Sequence, residues 1–143
     1  LPTRAFPADA GMDLYFCPNS ELATRMISVM GLAIEMRESI LLSTGLKIEV
    51  PYGHMLEIKN KSGIAYKRQL LVGACVIDSG YAGEIFINLQ NIGWKTQYVK
   101  AGDKLAQAVL IPIAVCGVEE VTEKEFKADS QRGTGGFGST GDS

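Results

Sequence analysis

Short β-rich segments, several with alternating apolar and polar residues, constrain the fold of this chain most strongly. They cover residues 41–50, 54–59, 70–77 and 84–91. Such segments are typical of strands with one buried face, and the turn residues Asp78-Ser79-Gly80 between the last two predict a β-hairpin. A nearly continuous apolar run over 105–115 predicts a strand buried on both faces. We therefore predict an all-β barrel or sandwich.

Two other segments have helical character. Residues 62–69 begin with Ser-Gly directly after a strand segment, which predicts one short helix. Apolar residues also recur at helical spacing between Leu22 and Ala33, although Gly31 weakens that pattern. Helices are therefore a minor component of the predicted fold.

The composition allows one domain with a hydrophobic core and excludes some partners. The chain has 143 residues, of which 46% are hydrophobic and 21% are charged. With 14 basic and 16 acidic side chains, the net charge of −2 leaves no basic surplus for binding a nucleic-acid backbone. The longest apolar run is too short to span a membrane, and no signal peptide is visible. We therefore expect neither a nucleic-acid nor a membrane partner.

Cysteine usage predicts the compartment. Cys17, Cys75 and Cys116 lie far apart and outside Cys-x-x-Cys pairs, so we predict free thiols in a reducing environment. We expect an intracellular, cytoplasmic protein, with the nucleus possible in a eukaryote and the host cytoplasm for a virus. Because the first residue is not methionine, we also expect a few native residues to precede it.

The last residues have a different character from the rest. Residues 132–141 hold five glycines together with Arg132, Phe137, Ser139 and Thr140. Glycine disfavours regular structure, but a guanidinium, a ring and two hydroxyls are groups that bind phosphate and cover a flat base. This composition fits either a flexible tail or an arm that folds over a bound nucleotide. We divide the chain into a core over 1–128 and an arm over 129–143.

Polar residues at three places in the core could carry chemistry. Asp13 follows a glycine turn, where a carboxylate either caps the turn or holds water around a hard cation such as Mg²⁺. Lys61 and Ser62 stand at the predicted helix start, where they either cap the helix or help to bind an anion. Gln107 lies within an apolar run, so it needs a polar partner, either nearby backbone or phosphate oxygens.

The predicted hairpin is a further candidate. Its main chain over 75–77 could read a pyrimidine base by mimicking a base pair, since small residues let a base approach the backbone. Partial burial of Asp78 after an apolar strand would suit a general base. Tyr81 could pack against a sugar and exclude a 2′-hydroxyl. Alternatively, Asp78 and Gly80 only make the turn, and Tyr81 is a surface residue.

Taken together, the five blocks resemble the motifs of the trimeric deoxyuridine triphosphate nucleotidohydrolases, the dUTPases. The blocks are Ala-Gly-Met-Asp-Leu at 10–14, Asn-Lys-Ser-Gly at 60–63, Val-Ile-Asp-x-x-Tyr-x-Gly at 76–83, Gly-Asp-Lys-Leu-Ala-Gln at 102–107 and the tail. The resemblance covers residues 9–141 and is most specific in the hairpin and the tail. It implies a β jelly roll and a homotrimer with three active sites between subunits. It also implies Mg²⁺-assisted hydrolysis of dUTP to dUMP and pyrophosphate, which limits uracil in DNA and supplies dUMP for dTMP synthesis.

The resemblance also implies a role for each site residue. Asp78 would be the base that activates the water attacking the α-phosphorus, and Tyr81 would stack under the deoxyribose. Asp13 would orient waters on a Mg²⁺ ion held mainly by the phosphates. The other implied substrate contacts are Lys61, Ser62, Gly63 and Gln107 at the phosphates, the main chain of Cys75, Val76 and Ile77 at the uracil, and Arg132, Phe137, Gly138, Ser139 and Thr140 in the closing arm.

Three features depart from the family pattern. Lys61 stands where the family usually has arginine, so the charge remains but the bidentate fork is lost. Cys75 replaces a usual glycine, and its contact to the base requires a backbone without positive φ. An insertion at about 22–38 is expected to pack on the outside of the barrel, with a protein partner for it as an alternative.

Two other functions fit parts of the pattern. The dCTP deaminases share the implied fold and trimer, but their catalytic glutamate would stand at Asn88, three residues before Asn91. An asparagine cannot act as a general base. The second alternative is a trimeric regulatory protein that keeps nucleotide binding as a switch, whereas the intact Asp78 favours hydrolysis.

Overall fold

The computed structural model describes residues 1–26 and 29–126. Within these residues the chain forms nine strands and two short helices, so the predicted all-β class is confirmed, with two helices in place of the predicted one. The elements are β1 (Met12–Tyr15), α1 (Ser20–Arg25), β2 (Leu32–Ile34), β3 (Ser39–Ser43), β4 (His54–Asn60), α2 (Ser62–Arg68), β5 (Leu70–Val72), β6 (Val76–Ile77), β7 (Phe86–Asn91), β8 (Gln97–Val99) and β9 (Lys104–Pro112).

The described strands form three antiparallel sheets around one hydrophobic core. The first sheet has the order β1-β9-β4-β6, the second has the order β3-β7-β5, and β2 pairs with β8. Inward-facing residues of all three sheets meet in a single cluster of buried apolar side chains, among them Leu14, Leu42, Leu56, Ile87 and Val99. In this jelly-roll-like arrangement, β9 pairs with β1 along one edge and with β4 along the other. These three strands therefore lie side by side in the first sheet.

The predicted hairpin is correct for only part of its length. Strand β5 pairs with β7, with Val72 opposite Leu89, but β6 pairs with β4, with Ile77 opposite Leu56. The chain therefore changes sheets across residues 73–75, which the structure shows as irregular backbone. Alternation records that a face is buried but not which strand lies alongside, so the sequence pattern does not reveal this crossover.

Two predicted strands are shorter or more exposed than expected. The strand predicted over 41–50 ends at Ser43, because Gly45 adopts a positive φ of 67° that breaks the extended backbone. The apolar run over 105–115 ends as a strand at Pro112. Its first half is buried, whereas Leu110 is 42% and Ile113 is 43% exposed, so burial on both faces is wrong for the second half.

The segment 22–38 lies partly inside the fold. The helical pattern predicted there stops with α1 at Arg25, and the chain continues as β2, where Leu32 and Ile34 are fully buried. Gly31 makes this possible, because its φ is 96° and a Cβ there would lie 2.3 Å from the Val99 carbonyl oxygen. The prediction that this segment packs outside the barrel is therefore wrong for β2.

Candidate active site

Strand register brings one group of predicted site residues together. Asp13 on β1 lies opposite Gln107 on β9, and Gln107 lies opposite Lys59 on β4. Lys61 follows directly after β4 and precedes α2, without making a side-chain capping hydrogen bond. These elements surround a pocket of about 300 Å³, here called the cationic pocket, lined by Lys61, Ser62, Gly63, Ile64, Lys104 and Gln107.

Asp13 is held between two lysines at the edge of the cationic pocket. The residue is 7% exposed, Lys61 Nζ donates to Oδ1, and Lys104 Nζ donates to Oδ2 at 2.9 Å. Burial opposes ionisation of Asp13, but the hydrogen bonds and charges of both lysines outweigh it and keep the pKa of its carboxyl below the ordinary value. Since two cations share one carboxylate, the pocket carries a net positive charge suited to an anionic ligand.

Lys104 is a site residue that the sequence pattern did not reveal. It lies on β9 next to Tyr15 of β1, with its ammonium 5.5 Å from the centre of the Tyr15 ring. Hydrogen bonding and attraction to the Asp13 carboxylate raise the pKa of the Lys104 ammonium, so it stays charged at neutral pH. The motif block at 102–107 contains this lysine, but only the pairing of β1 with β9 places it beside Asp13.

Gln107 is positioned by two neighbours. Its Nε2 donates to the Asn60 carbonyl at 2.9 Å, so nearby backbone supplies the polar partner. A Cβ at Gly11 would lie 2.1 Å from Gln107 Oε1, so the glycine leaves the space that the amide occupies. The glycine before Asp13 therefore has a packing role.

The hairpin residues line a second pocket, of about 240 Å³, here called the hairpin pocket. Its lining includes Asp78, Tyr81, Glu84 and Asn88. Tyr81 donates its hydroxyl to the Glu84 carbonyl at 2.8 Å, which fixes the ring beside the turn. Asp78 is exposed in the described chain, so the expectation that it is partly buried is wrong for a single subunit.

The Cys75 departure leaves the hairpin backbone intact. Cys75 is not among the residues with positive φ, so a side chain fits there without strain. Its carbonyl accepts from the Ile58 amide at 2.7 Å, which ties the start of β6 to β4. Within the described residues β6 is the edge strand of its sheet, so one side of its main chain has no partner strand.

One chain does not bring the two pockets together. Ile77 pairs with Leu56, so Asp78 lies next to Met55 at the start of β4, whereas Lys61 follows the other end of that strand. At about 3.3 Å per residue, Asp78 and Lys61 are separated by about 20 Å along β4. A ligand shorter than this distance could not contact both pockets of one chain.

The predicted arm residues lie outside the described part of the chain, and two further features, a cluster of metal ligands and a membrane-spanning helix, are absent from the described part. Arg132, Phe137, Gly138, Ser139 and Thr140 belong to the part of the chain that the structure does not describe. Among the described residues, no three His, Cys, Asp or Glu side chains cluster as metal ligands. No helix in 1–26 or 29–126 is long and apolar enough to cross a membrane.

These features define a class of protein: a jelly-roll-like β fold with an anion pocket and a separate hairpin that carries a carboxylate. The sequence model of the dUTPase family matches residues 1–141. The chain belongs to the dUTPase family, and it is a dUTP diphosphatase, an enzyme that hydrolyses dUTP.

Curated relatives support this assignment over nearly the whole chain. A protein of Clostridium tetani (strain Massachusetts / E88) named deoxyuridine 5'-triphosphate nucleotidohydrolase is 40% identical over 143 residues, which cover 99% of this chain and 88% of the relative. A protein of the same name from Candida albicans (strain SC5314 / ATCC MYA-2876) is 37% identical over 141 residues, covering 99% of this chain and 80% of the relative.

Solved structures share the fold. A mutant dUTPase of Staphylococcus bacteriophage 80alpha, solved with dUpNHpp, is similar with a TM-score of 0.84 and 23% identity, covering 99% of this chain and 91% of that one. A mutant dUTPase from phage phi11 of S. aureus, described with a structural Mg(II) ion, gives a TM-score of 0.73 and 24% identity, covering 87% and 91%. At these identities the likeness extends to the fold only.

Proposed function

We propose that the chain converts dUTP to dUMP and pyrophosphate at sites shared between the subunits of a homotrimer. The observation that carries this proposal is the separation of about 20 Å between Asp78 and Lys61 along β4, which leaves each subunit with half of a site. In this arrangement the hairpin pocket of one subunit faces the cationic pocket of another. The reaction would limit uracil in DNA and supply dUMP for dTMP synthesis.

The cationic pocket would bind the phosphate chain. Lys61 offers a charge, while Ser62, Gly63 and Gln107 line the same pocket with hydrogen-bonding groups. Lys104 adds a second ammonium, so the loss of the arginine fork at position 61 is offset by another cation. Phosphoryl transfer depends mainly on such positioning and charge neutralisation, which supports this assignment.

The residues present fit a Mg²⁺ ion that is held chiefly by the substrate. Asp13 supplies an ionised carboxylate at the pocket edge, the oxygen chemistry that Mg²⁺ prefers, but no three-ligand protein cluster accompanies it in the described residues. The phosphates would therefore supply most ligands, with Asp13 acting through water. When bound, the ion supplies charge neutralisation across the triphosphate.

The hairpin pocket would hold the deoxyuridine. The open edge of β6 offers the main chain of Cys75, Val76 and Ile77 to the base, and Tyr81 would pack against the sugar. Asp78 would take a proton from the attacking water as it approaches the α-phosphorus. Because Asp78 is exposed in one chain, a neighbouring subunit would have to cover it and exclude bulk water.

Exposed apolar side chains support subunit association. Along and after the second half of β9, Leu110, Ile113 and Val115 are 42%, 43% and 63% exposed. Apolar residues at this density on one continuous segment are typical of surface that a partner covers. In the proposed trimer, these residues would be buried between subunits.

The glycine-rich end would complete the site as a closing arm over 129–143. Arg132, Ser139 and Thr140 would contact the outer phosphates, while Phe137, followed by Gly138, would lie over the uracil ring. Closure of such a segment excludes water and commits the substrate. A protein partner for residues 22–38 stays a prediction, now limited to the surface that remains beside the buried β2.

A side-by-side assay tests this function. Pyrophosphate release from dUTP, dCTP, dTTP and UTP would be measured at equal concentration with Mg²⁺. We expect fast release from dUTP only, with UTP poor because Tyr81 leaves no room for a 2′-hydroxyl. Equal rates on UTP would remove Tyr81 from that role, and ammonia release from dCTP would favour the deaminase alternative.

A further inference from the structure

The main chain that changes sheets between β5 and β6 is fixed by one side chain of β7. Residues 73–75 have no strand pairing of their own, yet they lead directly into the edge strand assigned to base recognition. Asn88 lies in the middle of β7, opposite Leu41 of β3, on the face that lines the hairpin pocket. The sequence pattern gives Asn88 no role beyond arguing against a deaminase.

The Asn88 amide connects three segments of the chain. Its Oδ1 accepts from the Ala74 amide at 3.0 Å, and its Nδ2 donates to Ser39 Oγ at 3.0 Å and to the Ile40 carbonyl at 3.4 Å. These partners fix the orientation of the amide, because a flip would set a donor against the Ala74 N–H and an acceptor against the Ile40 carbonyl. The side chain is therefore held at both of its ends.

The backbone beside Ala74 packs tightly on the same side chain. The Gly73 amide donates to the Asn88 carbonyl at 2.9 Å. A Cβ at Gly73 would lie 2.2 Å from Asn88 Oδ1, so only glycine lets the chain come this close. Two successive amides of the crossover thus bind the main chain and the side chain of one residue.

We propose that Asn88 is a positioning residue that sets where β6 presents its main chain to the base, and so determines selectivity for uracil. The inference rests on the proposed role of the hairpin pocket. Main-chain recognition depends on donor and acceptor positions, because a hydrogen bond weakens steeply when its geometry is poor. Without the hydrogen bonds of the Asn88 side chain, the crossover would place β6 less precisely. Selectivity for uracil over cytosine would then fall more than any other property of the enzyme.

Two variants and one matched control test this role. Asn88→Leu removes both the acceptor and the donor of the side-chain amide at similar volume. Asn88→Asp keeps an acceptor for the Ala74 amide. Gln97→Leu makes a similar amide-to-apolar change on β8, where the side chain lines neither the hairpin pocket nor the space beside Gly73. Each full-length protein would be assayed with dUTP and dCTP and titrated with the non-hydrolysable analogue dUpNHpp.

For Asn88→Leu we expect KM for dUTP and the dissociation constant of dUpNHpp to rise about tenfold, with kcat within about twofold. The ratio of kcat/KM for dUTP over dCTP should fall by a similar factor, and the Ala74 amide should exchange faster with solvent. Asn88→Asp should restore most of the selectivity, and Gln97→Leu should change neither constant. Should Asn88→Leu fail to fold, Asn88→Ser is the replacement, because its shorter side chain cannot reach Ala74.

The outcomes separate this inference from the proposed function. If wild-type protein is selective for dUTP but a folded Asn88→Leu or Asn88→Ser variant keeps its KM and selectivity, the positioning role is refuted while the function stands. An equal loss of selectivity in Gln97→Leu also refutes it, because removing a side-chain amide remote from the crossover would then have the same effect. If wild-type protein does not prefer dUTP, the proposed function itself fails.

Discussion

Replacing Gly11 by alanine tests whether Gln107 acts on substrate from the position that the fold gives it. The new Cβ would lie 2.1 Å from Gln107 Oε1, 2.8 Å from Cδ and 3.1 Å from Cβ. The φ of Gly11 is not positive, so alanine suits the backbone there. The flexible amide must therefore move by more than about 1 Å to reach ordinary contact distance, and it leaves the Asn60 carbonyl.

The expected magnitude follows from the hydrogen bonds that Gln107 loses. The bond to the Asn60 carbonyl is worth about 1 kcal/mol, so the stability of the folded protein should fall by about that amount. A hydrogen bond to a charged phosphate is worth about 1.5–3 kcal/mol, which corresponds to a loss of about 10- to 150-fold in kcat/KM. Activity should therefore fall much more than stability.

A double-mutant cycle isolates the Gly11 effect. In a Gln107→Ala background no amide is left to displace, so Gly11→Ala should then cost less than about twofold in kcat/KM. Gly117→Ala is the matched control, because a Cβ there would meet no atom within 4 Å and the φ of Gly117 is not positive. Additive losses in the double variant would refute the reasoning, as would an unchanged kcat/KM in Gly11→Ala alone.

Three further predictions concern the base, the arm and the carboxylate. Asp78→Asn should lower kcat by about 10²- to 10⁴-fold while dUpNHpp still binds, since only the proton acceptor is lost. Deleting residues 132–143 should lower kcat/KM by about tenfold or more, with the thermal midpoint unchanged, because the buried cluster of the described core is formed by residues up to Ala108. Asp13→Asn should destabilise the protein at pH 7, and this difference should begin to shrink as the pH falls below about 4.

The sign of the pH effect follows from the lysines around Asp13. They lower the pKa of the folded carboxyl, so its stabilising contribution is present above the unfolded pKa and is lost as pH falls through the folded pKa. Denaturant titrations of both proteins from pH 7 to pH 3 measure it. A difference that grows on acidification would contradict the ion-paired state.

Retained turnover in Asp78→Asn, or full activity without the arm, would remove those groups from their proposed roles.

Local sequence was enough to predict several of the strands and one helix, but not β1, β2 or β8. Alternation predicted β4 almost residue for residue, and the Ser-Gly start predicted α2. Strand partners were not predictable, because alternation is the same whichever strand lies alongside. This is why the pairing of β6 with β4, and with it the position of Asp78, emerged only from the structure.

In the candidate site, too, residue type could be judged from the sequence, whereas spatial neighbours could not. Asp13, Lys61 and Gln107 were chosen for their residue types, and the sheet register does bring them together. Lys104 was missed, because a lysine at a strand start is common and only the neighbouring β1 gives it a role. Residues 22–38 were misjudged in part, since a positive φ at Gly31 turned a helical pattern into a strand. Long-range pairing and single backbone angles are therefore the information that local patterns lack.

Subunit complementation tests the shared active site most directly. Asp78→Asn chains and chains with both Lys61→Ala and Gln107→Ala would be co-expressed with different tags, and mixed assemblies would be purified. Each variant alone should be nearly inactive, whereas each mixed trimer should regain about one of its three sites, because each site takes its hairpin and its cationic pocket from different subunits. Mixed assemblies that regain no activity, from variants that each still fold and associate, would contradict the account.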